Sequence, residues 1–424
     1  MTKTFTVKVD WLWFFIFLVP TFYVFGRELR SAQADFFQVM IISLIAVMHV
    51  NKFFGLFLGY CLAQSFLLPT SDLQTTYITN LTFAAVAYHF IVKYTFVEDF
   101  KKYFTAFYLL LGLNLVWCVF QIFQVDPLFS MLNADKQKIF TEFSGLFALP
   151  AFLGNFAAAI LPLGFTLSWT LFPLVLVAIY FSKSTFSILA AFIAALFFFW
   201  FYKRIVFWAI VLFGGLFMLV YILKYDAPTG QFSRRLKVWS VVTKIALQKQ
   251  FLGRGLASYK ENIWGEATPS HNIIVMPNNS ARLIKPFLIN EAMAKGKNEL
   301  AQKLSQISDD SFNLGTVQPI IQSYDIDFMD WKNAHNEFLE IFYETGFFGL
   351  LFIFGYIYDI FKRFFTYGQK HLPSLVMVSS FLAILVVTAG HFPFHLARLS
   401  APFLVLMAFT EIALLAAQKK SEAI

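Results

Sequence analysis

For most of its length the chain alternates between long apolar blocks and short polar breaks. The blocks run near 11 to 26, 36 to 50, 53 to 69, 80 to 97, 103 to 123, 146 to 164, 166 to 182, 184 to 202, 204 to 223, 337 to 361, 372 to 389 and 400 to 417. One helix needs roughly 20 such residues to cross a ~30 Å hydrocarbon layer. A helix also satisfies its own backbone hydrogen bonds in lipid. The pattern therefore predicts an all-α polytopic membrane protein of about 12 transmembrane helices. The least sharply marked spans are the short second block and the pair divided only by Leu163-Gly164-Phe165, where proline and glycine blur the break. No internal repeat is visible.

One polar stretch is far longer than the others, from about 224 to 334 between the ninth and tenth spans. It divides the chain into spans 1–9 (1–223), an extramembrane loop (224–334) and spans 10–12 (335–424). The loop is too long and too mixed in composition to be a linker. From Phe232 to Phe251 it carries Phe232, Leu236, Trp239, Val242, Ile245 and Ala246 at helical spacing with Arg and Lys between them. This predicts an amphipathic helix on or near the membrane surface. A second helix is predicted from about Ala281 to Gln306, so the loop is mainly helical. Between the two lie Gly253-Arg254-Gly255 and the turn signal Pro277-Asn278-Asn279-Ser280.

Composition agrees with the pattern: 58% of side chains are hydrophobic, 57 of them Phe, and only 14% are charged, which excludes an ordinary soluble domain. A net charge of +8 raises the question of nucleic acid, but in a membrane protein basic residues first set orientation. Lys3, Lys8, Lys52, Lys101, Lys102, Lys203, Arg204, Lys362, Arg363, Lys370, Lys419 and Lys420 fall on one side of the predicted spans. The opposite short segments hold roughly half as many: Arg27, Arg30, Lys136, Lys138, Lys183 and Arg398. The bias puts both termini in the cytoplasm and the long loop outside, with membrane lipids rather than nucleic acid as the bulk partner. Lys3 and Lys8 precede Trp11–Phe25 as in a signal peptide, but no small-x-small cleavage site comes before Gly26-Arg27-Glu28, so a retained first span is expected. Cys61 and Cys118 lie within apolar blocks and read as small buried hydrophobes.

Four features near the loop carry candidate chemistry. Arg235 and Trp239 share a helical face at i, i+4, either as an indole supporting a guanidinium aimed at an anion or as an ordinary interfacial anchor. Gly253 and Gly255 flank one residue and permit a tight turn after the helix. Asn336 can cap the entering tenth span, which places His335 at the external boundary beside the helix's positive end. There His335 is either a solvated loop residue or an imidazole able to take a proton from a hydroxyl. Glu344, nine residues on and about 180° round the helix, is no natural partner for it and is assigned a structural role. The last feature is a set of outer-face cations, notably Arg282 and Lys183. Few organised carboxylates accompany them, which suits a pyrophosphate better than a metal. His271, His391 and His395 match no compact ligand set, so no metal and no cofactor is expected.

Taken together, Arg235-x-x-x-Trp239, Phe251-Leu252-Gly253-Arg254-Gly255 and His335-Asn336-x-x-Leu339 running into Glu344-x-Gly346-x-x-Gly349-Leu350 resemble the O-antigen ligase and O-antigen polymerase superfamily of bacterial envelope glycosyltransferases. Their order and the loop enclosing them match as well. Weaker echoes are Gly145-Leu146-Phe147-Ala148-Leu149-Pro150 and Ser182-Lys183-Ser184, where the family often has Ser-Arg. The lysine is a departure, since it offers a point charge in place of a bidentate fork. The strong resemblance covers roughly residues 145 to 350.

The resemblance implies a GT-C-like membrane glycosyltransferase of the bacterial inner membrane with a periplasmic active site. Its donor would be an undecaprenyl-pyrophosphate-linked glycan. The acceptor would be lipid A core for a ligase, or another lipid-linked repeat for a polymerase of O-antigen or exopolysaccharide. The compact length and single dominant loop lean towards ligase. His335 matches the histidine proposed to activate the acceptor hydroxyl, and Arg235 the arginine proposed to hold the pyrophosphate. Arg282 and Lys183 would assist there, while Trp239, Gly253, Gly255, Asn336, Leu339, Glu344, Gly346 and Gly349 complete the motifs. The implied reaction is inverting and metal-independent. The rival from another class is a glycolipid transporter or flippase, for which repeats and midplane charges are the usual signs.

Overall fold

A computed structural model of the chain describes residues 51–68, 72–123, 145–147, 150–221, 223–224, 231–259, 262–263, 273–275, 284–308, 312, 317, 320–321, 323–324, 327–329, 334–391, 393–395 and 397–423. The first two predicted spans and Arg282 lie outside these residues. The described chain is helical apart from one short parallel pair, β1 (Ile273–Val275) with β2 (Asp327–Met329). Among the described residues seven helical segments are long and apolar enough to cross a membrane: Val97–Ile122, Pro150–Leu167, Thr185–Tyr202, Arg204–Tyr221, Glu337–Gly368, Leu372–Gly390 and Leu399–Glu422. The chain is thus an all-helical membrane protein with a small strand pair in its loop.

Contacts divide it into two units. The first comprises Met1–Leu58, Thr79–Phe232 and Phe352–Ile424, the second Gly59–Ile78 and Ser233–Leu351. In chain order the helices are α1 (Lys52–Leu67), α2 (Asp72–Tyr94), α3 (Phe100–Ile122), α4 (Pro150–Leu167), α5 (Phe172–Ser182), α6 (Thr185–Tyr202), α7 (Arg204–Tyr221), α8 (Gln231–Ala246), α9 (Ile284–Ala294), α10 (Asn298–Gln306), α11 (Glu337–Arg363), α12 (Leu372–Gly390) and α13 (Ala397–Glu422).

In the first unit α4 is the core helix, buried from Phe152 to Gly164. Its small residues explain this: a Cβ on Gly154 would stand 2.3 Å from Ser182 Oγ, and Ala157, Ala158 and Ala159 extend the thin face, the usual means by which membrane helices approach closely. The predicted span 166–182 holds a helix shorter than its apolar run. After a 3-10 turn at Trp169–Leu171, α5 has only 11 residues, about 16 Å at 1.5 Å per residue, and runs back along α4 from Phe172, 6.2 Å from Phe165, to Ser182 beside Gly154. Pro173 restarts the helix at its first turn, where a missing N–H costs nothing.

Polar side chains tie the helices of this unit together at two places. At one, Arg363 forms a buried bidentate pair with Glu411 and bonds Asp359 at 2.8 Å, while Asn51 donates to Asp359 at 3.2 Å. At the other, Ser184 Oγ lies 3.3 Å from His391 Nε2, and Phe186 covers Gly390. Asn114 and Gln121, two turns apart on α3, hold the Gly145-Leu146-Phe147 turn. Leu146 N–H donates to Asn114 Oδ1 at 2.8 Å, and Gly145 N–H to Gln121 Oε1 at 3.0 Å. Gly145 needs its φ of +57°, which a side chain would disfavour.

Among its described residues the second unit has two cores. One joins α8 to Tyr259, Ile263, Ala334 and Tyr343. The other joins α9 and α10, through Leu288, Ala292, Leu300, Ala301 and Leu304, to Val317 and Ile321. Here the single helix predicted from Ala281 to Gln306 is corrected to two. At Gly296, φ is +70°; Gly296 N–H bonds Met293 C=O at 2.9 Å and Lys297 N–H bonds Ala292 C=O at 2.9 Å. This 5→2 and 6→1 pair is the Schellman ending that a left-handed glycine permits. A second correction concerns α8. Its buried stripe is Val238, Val241, Val242, Ile245 and Ala246, facing protein, whereas Leu236 on the predicted apolar face is 47% exposed.

Candidate functional site

The second unit brings most of the sequence-predicted residues together, and two interlocked turns explain how. Inside α11 the backbone breaks at Gly346, with φ 65° and ψ −163°, a region open to glycine almost alone. The break frees polar groups that a continuous helix would pair, and the Gly253 loop takes them up. Arg254 N–H and Gly255 N–H donate to Glu344 C=O at 3.0 and 2.8 Å, and Phe347 N–H donates to Gln250 C=O at 2.7 Å. The two backbones touch: a Cβ on Gly253 would stand 2.3 Å from Glu344 O, and one on Gly346 would stand 2.3 Å from Phe251 O. The glycine motifs, nearly a hundred residues apart, are therefore two halves of one joint. Gly349, one turn beyond, packs against Thr345.

Side chains reinforce the joint. Gln64 Nε2 donates to Glu344 C=O at 2.8 Å and Tyr60 Oη to Thr345 C=O at 2.9 Å. The buried Glu344 carboxylate accepts from Tyr259 N–H at 3.3 Å. Arg254 lies 4.6 Å over the Tyr343 ring and donates to Ile245 C=O at 2.9 Å, capping the end of α8. Its cation serves this local seat. Gln64 and Tyr60 escaped the sequence reading, although a glutamine inside the apolar run of α1 is the signal that marks them.

Above the joint stands His335. Asn336 Oδ1 accepts from Leu339 N–H at 3.1 Å, the N-cap bond that starts α11. His335 itself has φ +52°, one of three non-glycine residues with positive φ among the described residues, beside Lys183 at +48° and Ala257 at +63°. Such conformations cost of order 1–3 kcal/mol each and collect at working sites. Trp239 Nε1 donates to Ala334 C=O at 3.0 Å, so α8 reaches the residue before the histidine. Burial lowers the His335 pKa to about 4, and the nearby Arg235 guanidinium adds to the effect. At neutral pH the imidazole is thus uncharged, beside a cation one turn from Trp239 on α8.

The remaining predicted residues are less gathered. Lys183 belongs to the first unit, exposed at the end of α5, its N–H bonded to Tyr180 C=O at 3.3 Å. Among the described residues no group of three or more His, Cys, Asp or Glu is arranged to hold a metal. Compared with known proteins, the chain matches no family model and no curated sequence.

Proposed function

We propose that this chain is a membrane glycosyltransferase of the O-antigen ligase and polymerase type, with a GT-C-like arrangement of about 12 spans. It would transfer an undecaprenyl-pyrophosphate-linked glycan to lipid A core at the periplasmic face of the inner membrane. The observation that carries the reading is a neutral, half-buried His335 near the Arg235 cation, in the same unit as the joined glycine motifs. A neutral imidazole accepts a proton, and a guanidinium holds phosphate oxygens.

In this reading the acceptor hydroxyl gives its proton to His335 and attacks the anomeric carbon. The bond to pyrophosphate breaks with inversion, and the charge growing on phosphate is stabilised by Arg235, with Arg282 and Lys183 entering on the sequence pattern alone. A dianionic leaving group needs no general acid. The test is reconstitution of the purified protein with lipid-linked repeat units and lipid A core, with and without EDTA. Glycan on core means ligase and a ladder on the carrier lipid means polymerase. Absence of product from every acceptor refutes the proposal, and loss of product with EDTA refutes metal independence. His335→Ala and Arg235→Ala are each expected to abolish product while the protein still inserts.

A further inference from the structure

Ala334, the residue before His335, is fully buried, and side chains from two helices hold both polar groups of its backbone. Its N–H donates to Glu340 Oε1 at 2.5 Å, and its C=O accepts from Trp239 Nε1 at 3.0 Å. The next residue carries the imidazole on a left-handed backbone, φ +52°. Glu340 is 0% exposed, and burying a carboxylate opposes folding unless it meets good donors. Capping of α11 does not require it, because Asn336 already supplies the N-cap acceptor. Its bond to Ala334 instead reaches six residues back, outside the helix, onto the segment that bears His335.

We propose that Glu340 is a positioning residue for His335: its carboxylate and the Trp239 indole grip the Ala334 backbone from two sides and hold the imidazole's backbone in its left-handed conformation. The inference rests on the glycosyltransferase reading for its kinetic consequence, but the grip itself can be read without activity. An accepting oxygen at position 340 is what the grip requires, so Glu340→Gln keeps it and Glu340→Leu removes it while leaving a buried N–H unmatched.

The experiment uses the full-length protein in nanodiscs and two readouts. In glycan transfer, E340L is expected to lower kcat by about ten- to a hundredfold with donor KM little changed, and E340Q to stay within about threefold of wild type. In the second, diethyl pyrocarbonate modification is followed by mass spectrometry at His335, with the buried His391 of the first unit as internal control. His335 is expected to react about tenfold faster in E340L and in W239F than in wild type or E340Q, with His391 unchanged. Equal kinetic loss in E340Q and E340L, or wild-type His335 reactivity in both E340L and W239F, overturns the proposal. Should wild type transfer no glycan, the functional reading fails and the reactivity series alone decides the positioning. If E340L does not fold, W239F decides it in the same assay.

Discussion

Gly346 and Gly296 both hold positive φ, +65° and +70°, yet alanine at the two sites should behave very differently. At Gly296 nothing lies within 4 Å of the added Cβ, so Gly296→Ala costs the conformational term alone, roughly 1–2 kcal/mol. At Gly346 the Cβ meets Phe251 O at 2.3 Å and Gly253 N at 2.6 Å, backbone atoms with no rotamer to retreat into. The Gly253 loop must withdraw, giving up the bonds of Arg254 and Gly255 to Glu344 C=O and of Phe347 to Gln250 C=O. At about 1 kcal/mol or more each, together with a conformational term of order 1–3 kcal/mol, Gly346→Ala costs roughly 4–6 kcal/mol. That rivals the whole stability of an ordinary domain, about 5–15 kcal/mol. The chain supplies its own probe, because its two cysteines are buried, Cys61 in the second unit and Cys118 in the first. In a Cys118→Ala background, a thiol-reactive fluorophore followed through a thermal ramp reads release of Cys61. Gly296→Ala should lower the midpoint by about 2–6 °C and Gly346→Ala by more than 10 °C. Midpoints within 2 °C of each other, to within about the precision of the method, would refute the interlocked joint.

Three further outcomes follow from the same geometry. The His335 pKa lies near 4 in the folded chain against an ordinary 6.5, so the unfolded chain binds the extra proton between these values. Stability should therefore fall by about 3 kcal/mol as pH drops from 6.5 towards 4, a loss that His335→Gln abolishes. For the same reason the acid limb of kcat/KM should lie near pH 4, and in Arg235→Met the acid loss of stability that His335 sets should end at a higher pH; an unmoved stability profile would remove Arg235 from the imidazole's surroundings. In the first unit, Glu411→Leu leaves Arg363 with Asp359 as its anionic partner and should cost about 1–3 kcal/mol in detergent unfolding, whereas Arg363→Met with Glu411→Leu should recover part of it.

How much of this is legible in the sequence depends on the range of the interaction. Helices α3, α4, α6, α7, α11, α12 and α13 lie where apolar runs predict them, because lipid demands such runs whatever their neighbours. The end of α9 at Gly296 is a local event with a local signal, a glycine between two lysines, yet the helical spacing on both sides hides it. The face of α8 is not local at all. Leu236 and Val238 are equally apolar, and only Tyr259, Ala334 and Tyr343 decide which is buried. Glu344 illustrates a further step. Its spacing removes it as a partner for His335, but its bond to Tyr259 N–H involves a residue the periodicity never touches.

The break at Gly346 also bears on how His335 is held at the start of a long apolar helix. A straight helix would leave the direction of its first turns to the packing of the remaining span. Here Glu337–Thr345 precede the break, and their last carbonyls are taken by Gly255, Arg254, Gln64 and Tyr60. Behind those bonds Arg254 ties the loop to the end of α8, and at the front of the same helix Trp239 holds Ala334. One helix thus carries Arg235, the indole that reaches the residue beside His335 and the carbonyl that seats Arg254. In the proposed reaction the spacing between cation and imidazole would then be set by α8 and its joint rather than by loop chain running between them, which would keep a base and an anion-holding group in register.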